Sequence, residues 1–506
     1  MLCDSHVLAY IRVDTARLSA LSVCLRIFLE LYHRIQFTLL EKGKGEIIML
    51  AVIFLFSAAA FIGVALWRLL KRHRNTIPDP RKATRMQHLR SLAAQHKVAA
   101  SLVTMIDRDG AGDWPPRANH ESWPAAILPY RSIYVELLPL LYTDTPSLDD
   151  NTNARRRERY RVAMRSLLRD RIDLSAVIRI LEEVEIDNWA TISRDILNGL
   201  YCCVALTRHA YRWAALPVVK VAQLEKVIDF PAELSIIWPY LQRYYGFNSD
   251  GGNHTSNVLM NFNPKGERIF KFNNSLYPLI QSAEEGFFRL LYDIDVMSFD
   301  IFYDIAVVIT SFEDGDTRSC LKSLQKINSN LRELFVLFNQ KMREENVSRT
   351  VWLNYVQSIH AWGAGRMVDE EFVQFDGVSG NQILVFQALD ALLGMGTYHP
   401  KEDLKRYIPA SQRGFCKSIR EYSFRSCLKG TEDAAIKTEF ETLVSQLKRY
   451  RAVHKSRVMP YLKNPAPERY HMTTKTSVLT TDPGVGIDEA LKPLEQMLIN
   501  RSMQTV

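Results

Sequence analysis

Over most of this chain apolar residues return with the period of a helix, and at one place the polar positions vanish altogether. That place is residues 47–67, IIMLAVIFLFSAAAFIGVALW, which holds no charge and only Ser57 as a hydroxyl. At a rise of about 1.5 Å per residue the run matches a hydrocarbon core of roughly 30 Å, so a transmembrane helix is predicted over 47–70. A buried core helix would usually keep a polar stripe, and a cleaved signal peptide has a shorter apolar run. Lys71-Arg72-His73-Arg74 follows directly. The positive-inside rule then sets everything downstream on the cytosolic side, with the endoplasmic reticulum as the expected membrane. Within residues 71–83, Ile77-Pro78-Asp79-Pro80 reads as a stiff hinge, because proline biases its neighbours away from the helix. Residues 1–46 form an N-terminal extension. Met49 would open a conventional signal anchor, so starts at Met1 and at Met49 both stay open.

From Thr84 onward the period is helical, as in Leu89, Leu92, Ala93 and His96, or Ile178, Ile180, Leu181 and Val184. Strand alternation is rare. One hairpin is predicted around Asn263-Pro264-Lys265-Gly266, between Val258-Leu259-Met260 and Ile269-Phe270. The fold class is therefore all-α. The Gly- and Asn-rich stretch Asn248 to Asn257 divides a smaller helical domain, 84–250, from a larger one, 251–466. Glu284 to Phe312 reads as one long helix or two, too interrupted by Asp293, Asp295, Asp300 and Asp304 to span a membrane. Residues 467–506 read as a threonine-rich loop and an amphipathic helix, Ile487 to Leu498, which suits a lid and equally an ordinary terminus.

With 506 residues, 47% of them apolar, the chain can bury sizeable cores, and disorder throughout is excluded. A formal charge of +8 does not demand a polyanionic partner. Arg155-Arg156-Arg157 with Arg159 and Arg161 reads as a solvated helix face beside Asp149-Asp150, and no nucleic acid is expected. The seven cysteines form no CxxC pair and read as reduced thiols.

Two features carry chemistry. A helix predicted from Ile436 to about Val458 has Phe440, Leu443, Leu447 and Tyr450 on its apolar stripe, and His454 lies on or beside it. On that pattern alone a satisfied core or surface histidine is favoured over a metal ligand. Arg451 and Arg457 flank it, as cations would that neutralise acidic groups of a cofactor. The second feature is the loop Phe375-Asp376-Gly377-Val378-Ser379-Gly380-Asn381-Gln382, opening into an apolar helix from Ile383 to Met395. Its backbone N–H groups and Ser379 hydroxyl suit a polar ligand, or simply a helix cap. No strand precedes it and no His/Asp pairing accompanies it, so it is not a nucleophile elbow.

GVSGNQILVFQALDALLGM (377–395), RYIPASQRGF (406–415) and LVSQLKRYRAVHKSRVMPYL (443–462) resemble three signature blocks of the indoleamine 2,3-dioxygenase family, in the family's order. Weaker likeness runs upstream through His360-Ala361-Trp362, the helix from Glu284 to Asp295, Phe230-Pro231 and Trp213 to Val218. The resemblance implies a two-domain helical fold with haem b in the larger domain and O2 as co-substrate. It makes His454 the axial iron ligand, Arg451 the propionate partner, and Ser379 and Gly380 part of the loop over the haem. A neutral imidazole suits ferrous iron, and no side-chain base is required.

The substrate side departs from that pattern. The family's carboxylate-binding arginine, six residues before its tryptophan, falls on Val356 when Trp362 fixes the register, and valine cannot replace a bidentate clamp. The distal serine or histidine falls near Tyr292, and the Gly- and Thr-rich loop near Gly484-Val485-Gly486-Ile487 lacks its threonine. Tyr292, Val356 and Ser379 are thus the distal-pocket candidates. The expected activity is that of a membrane-anchored haem oxygenase on a hydrophobic, indole-derived substrate rather than free tryptophan. An ordinary tryptophan dioxygenase and a non-catalytic haem binder are the alternatives. No redox partner is named by the sequence.

Overall fold

The computed structural model describes residues 80–462 except 142–146, 148, 215–224, 274–276, 357–361, 379, 398–400 and 432, together with 492, 496, 499–501 and 503–505. The expected extension 1–46, the span 47–70, the hinge up to residue 79, Ser379 and the loop through 491 lie outside the described residues. Among the described residues no helix is long and apolar enough to cross a membrane.

In chain order the helices are α1 (Pro80–Ala93), α2 (Lys97–Arg108), α3 (Leu128–Leu137), α4 (Asp150–Arg171), α5 (Leu174–Glu185), α6 (Arg194–Trp213), α7 (Trp238–Tyr245), α8 (Pro278–Glu313) and α9 (Thr317–Lys341). A hairpin of β1 (Gly365–Val368) and β2 (Glu371–Gln374) follows, then α10 (Leu384–Leu392), α11 (Lys401–Tyr407), α12 (Ala410–Glu421) and α13 (Ala434–Leu462). Their ends are written in the sequence. The Asp149 carboxylate accepts from the N–H groups of Asn151 and Thr152, both at 3.0 Å, and Asp173 and Asp316 cap α5 and α9 in the same way. Proline opens α1 and α8, so the last residues of the predicted hinge already belong to a helix.

The aspartates that interrupt α8 do not break it. Asp293 pairs with Arg289 at 3.3 Å and with Lys341 of α9, while Asp295 is buried against His254. Each charge is met by a partner, so the helix runs unbroken from Pro278 to Glu313 and packs along α9.

The described residues of 78–506 form one compact unit with two large apolar cores and a small cluster of Ile280, Ala283 and Val351. The smaller core gathers Tyr134, Leu168, Leu181, Leu200 and Trp238 from α3 to α7, and Trp362 and Phe375 join it from far along the chain. The larger gathers Ile305, Leu331, Leu389, Phe415 and Leu447 from α8, α9, α10, α12 and α13. Helices α1 and α2, which the sequence reading groups with the smaller domain, pack in the larger core through Leu89, Val98, Leu102 and Ile106. Their apolar stripes complete a face of α12 and α8 that would otherwise meet water.

Within the expected domain boundary, Ser249 to Asn257 is buried throughout, because Arg208, His209 and Trp362 donate to the carbonyls of Asp250 and Gly251. Gly251 is required there, since a Cβ would collide with the Asp376 carbonyl and the Trp362 indole. The turn at Asn263 to Gly266 forms, but only one bridge, Phe262 with Arg268, stands beside it, and Leu259–Asn261 makes a 3-10 turn instead of a strand. The true hairpin is β1–β2, whose turn holds Asp369 and Glu370 at φ of 48° and 69°. Finally, Arg161 is not solvated. It is buried, with Nη1 and Nη2 each 2.8 Å from the Glu225 carboxylate and Nε donating to the Tyr211 carbonyl.

Candidate functional site

Helix α13 brings His454 against an aromatic wall built from three elements. Tyr450, one turn earlier, is stacked between Phe335 of α9 and Phe386 of α10, with ring centroids at 4.5 and 4.7 Å. The His454 ring lies 5.6 Å from Phe338 and 5.8 Å from Tyr450. Burial among these rings lowers its pKa to about 4, so the imidazole is neutral at physiological pH. It nevertheless keeps some accessible surface. No described residue hydrogen-bonds to its ring, which leaves the neutral imidazole able to take a metal.

Arg451 lies one turn before His454 and points to Asp390 of α10. Its Nη2 is 2.5 Å from the Asp390 carboxylate, and its Nη1 donates to the Thr505 hydroxyl. The other Asp390 oxygen accepts from Arg501, with Nη2 at 2.5 Å. Asp390 is thus a buried carboxylate shared by two guanidinium groups. The motif in α10 carries Asp390, but nothing in the sequence singles out Arg501 and Thr505, whose role depends on the tail folding back over α10 and α13. Arg457, the other flanking cation, is exposed.

The remaining candidates spread over the larger core. Val356 is fully buried at the end of a π turn, Trp352–Val356. Tyr292 of α8 is half-buried and stacked on Phe262 at 4.1 Å, and burial raises its phenol pKa to about 12. Gly380 is exposed in a 3-10 turn, Gly380–Gln382. The loop around it is held by Gln382, whose amide donates to the Gly377 carbonyl at 2.9 Å and accepts from the His254 N–H at 2.7 Å. Gln387 donates to the Asn381 carbonyl at 2.9 Å. The structure therefore joins Arg451 to Asp390, and Tyr450 to both Phe386 and His454, and sets Tyr292 and Val356 elsewhere in the same core.

Two buried groups escaped the sequence. His254 Nε2 lies 2.9 Å from Asp295, and the pair links the Gly377–Gln382 loop to α8. The Trp352 indole N–H is buried between Phe287 and Tyr461 with no partner among the described residues. Both depend on residues far apart in the chain.

The family model described as indoleamine 2,3-dioxygenase matches residues 201–497, more than half of the chain. The chain belongs to the indoleamine 2,3-dioxygenase family. No curated protein matches it. Enzymes of the indoleamine 2,3-dioxygenase family use haem b with O2, and these are the cofactor and co-substrate the assignment brings. The residues present fit that cofactor. A neutral imidazole with no hydrogen-bond partner among the described residues is the donor that haem iron takes, and an aromatic wall from α9, α10 and α13 suits a flat macrocycle. Arg451 has five N–H donors and commits only some of them to Asp390 and Thr505.

Proposed function

We propose that the protein is a membrane-anchored haem-dependent oxygenase that acts on an indole-containing or other hydrophobic substrate and not on free tryptophan. The observation that carries the substrate reading is Val356, buried at the position where the family resemblance expects a carboxylate-binding arginine. A substrate carboxylate brought to an apolar wall would lose its hydration without gaining a partner. An indole without a free carboxylate meets no such penalty.

On this reading His454 would hold the haem iron, its neutral ring needing no loss of a proton first. Bound haem b would supply the redox chemistry that adds oxygen at an indole double bond. Arg451 would hold an acidic haem side group with the N–H donors that Asp390 leaves free. Gln382 and Gln387 hold the Gly377 and Asn381 carbonyls, and the resemblance would put this segment's backbone N–H groups near the haem. Phe287, Trp352 and Val356 belong to the same apolar core and would keep water from a substrate bound against them. The charge-free run at 47–67 followed by Lys71-Arg72-His73-Arg74 supports the anchor, and a membrane is where an apolar substrate concentrates.

The test is to purify the full chain in detergent, record its Soret absorption, and repeat with His454→Ala after checking the helical signal of the variant. A Soret band lost in the variant supports the ligand assignment. No band in the parent protein would remove the central reading, and an unchanged band in the variant would remove His454 from it. Turnover assays with indoles that carry or lack a carboxylate then test the substrate. Efficient turnover of free tryptophan would overturn the argument from Val356.

A further inference from the structure

A pocket lies against Asp390 and Arg501, and its lining is rich in cations. It is a cavity of about 250 Å³ between α10, α11 and α12, and neither His454 nor Arg451 lines it. Helix α12 contributes Arg413, Lys417 and Arg420, spaced so that all three share one face. Lys405 comes from α11 and Arg501 from the tail, while Asp390 is the sole carboxylate in the lining. That carboxylate is already shared between Arg451 and Arg501.

Of the other cations, Arg413 has the buried Asp109 carboxylate nearby, and the rest find little anionic compensation. Arg420 Nε donates to the Met395 carbonyl at 2.9 Å, and Arg413 Nη1 to the Gly246 carbonyl at 2.8 Å. Lys417 lies 3.6 Å from Glu421, an exposed pair on its own helix, and no ion pair to Lys405 occurs among the described residues. Carbonyl partners orient guanidinium groups without neutralising them. Excess positive charge in a concave site concentrates anions there, and the planar forks of two arginines match phosphate oxygens. The volume lies just below the roughly 300 Å³ at which drug-sized pockets begin, which favours a compact ligand.

We propose that this cavity is a binding site for a small phosphate-bearing anion. Such a ligand would lie against Arg413, Arg420 and Arg501, with Lys405 and Lys417 at the rim. Because Arg501 also holds Asp390, an anion that draws on Arg501 leaves more of the Asp390 charge to Arg451. On the reading of His454 as axial ligand, the anion is therefore coupled to the haem site through one shared carboxylate.

The experiment uses the full chain in phosphatidylcholine bilayers, titrated calorimetrically with pyrophosphate. Saturable binding is expected, and it should weaken as salt is added. The Lys405→Glu/Lys417→Glu variant reverses two exposed rim charges that make no core contacts, and its affinity should fall about tenfold for each. Adding phosphatidate to the bilayer separates two sources of phosphate: competition assigns it to a lipid headgroup, its absence to a free ligand. Absence of saturable binding, or equal affinity in the variant, would overturn the proposal. His454→Ala should bind pyrophosphate as the parent does, so a failed haem assignment leaves this result readable.

Discussion

Replacing Asp390 by asparagine removes one negative charge and almost no volume, which makes it the sharpest probe of the site. The side chain is 4% exposed and faces Arg451 and Arg501, themselves 13% and 6% exposed. Neither guanidinium can shed its proton, so both stay charged in a poorly solvated place. Breaking a buried ion pair from one side costs about 3–5 kcal/mol, and the residual solvent contact of Arg451 points to the lower end, about 3 kcal/mol. The assay is urea unfolding, with the cost read as a shift in midpoint at unchanged slope. In an Arg501→Gln background the same replacement should cost less, since one of the two stranded cations is gone. A loss under about 1 kcal/mol in the single variant, or strict additivity in the double, would mean that the triad is not the buried charge network described. Haem content should fall along with stability, because Arg451 stands one turn from His454.

Two further outcomes follow from groups outside that triad. Burial pushes the Glu225 carboxyl up, but Arg161, Arg212 and Arg157 outweigh it and hold the group below the usual carboxylate range. Its contribution should be complete above the unfolded value of about 4.3 and be lost as pH falls through the folded pKa, so Glu225→Gln should flatten the acid limb of stability measured from about pH 6 to about pH 3. Among the described cysteines only Cys427 is exposed, whereas burial raises the thiol pKa of Cys203, Cys320 and Cys416 to about 12 in each case. Maleimide labelling read by mass spectrometry should therefore modify Cys427 well before those three, and equal rates would contradict the packing around them.

How much of this was legible in the sequence varies with the distance over which each contact acts. Helix period exposed the long elements, and α13 with His454 on its inner side follows from Phe440, Leu443, Leu447 and Tyr450 alone. The hairpin did not, because Val368-Asp369-Glu370-Glu371 lacks the Asn-Gly or Asp-Gly signal, and residues at positive φ were supplied without glycine. Arg161 looked solvated since only the fold delivers Glu225, sixty-four positions later, to meet it. The Asp390 triad was half visible: its helix carried a motif, while Arg501 sits 111 positions away in a tail where no motif marks it. Ser249 to Asn257 was misleading in the opposite sense. Polar and glycine-rich sequence usually marks a surface, yet here indole, imidazole and guanidinium groups from elsewhere satisfy its carbonyls inside the protein.

The residues that follow that buried stretch have a consequence for how the protein comes apart. Val258, Leu259 and Phe262 enter the larger core, while Met260 enters the smaller one. A single short segment is thus stitched into both. Neither core can melt while that stitch holds without dragging on the other, so thermal denaturation should proceed as one cooperative event, and cutting the chain near residue 260 should release two events where there was one.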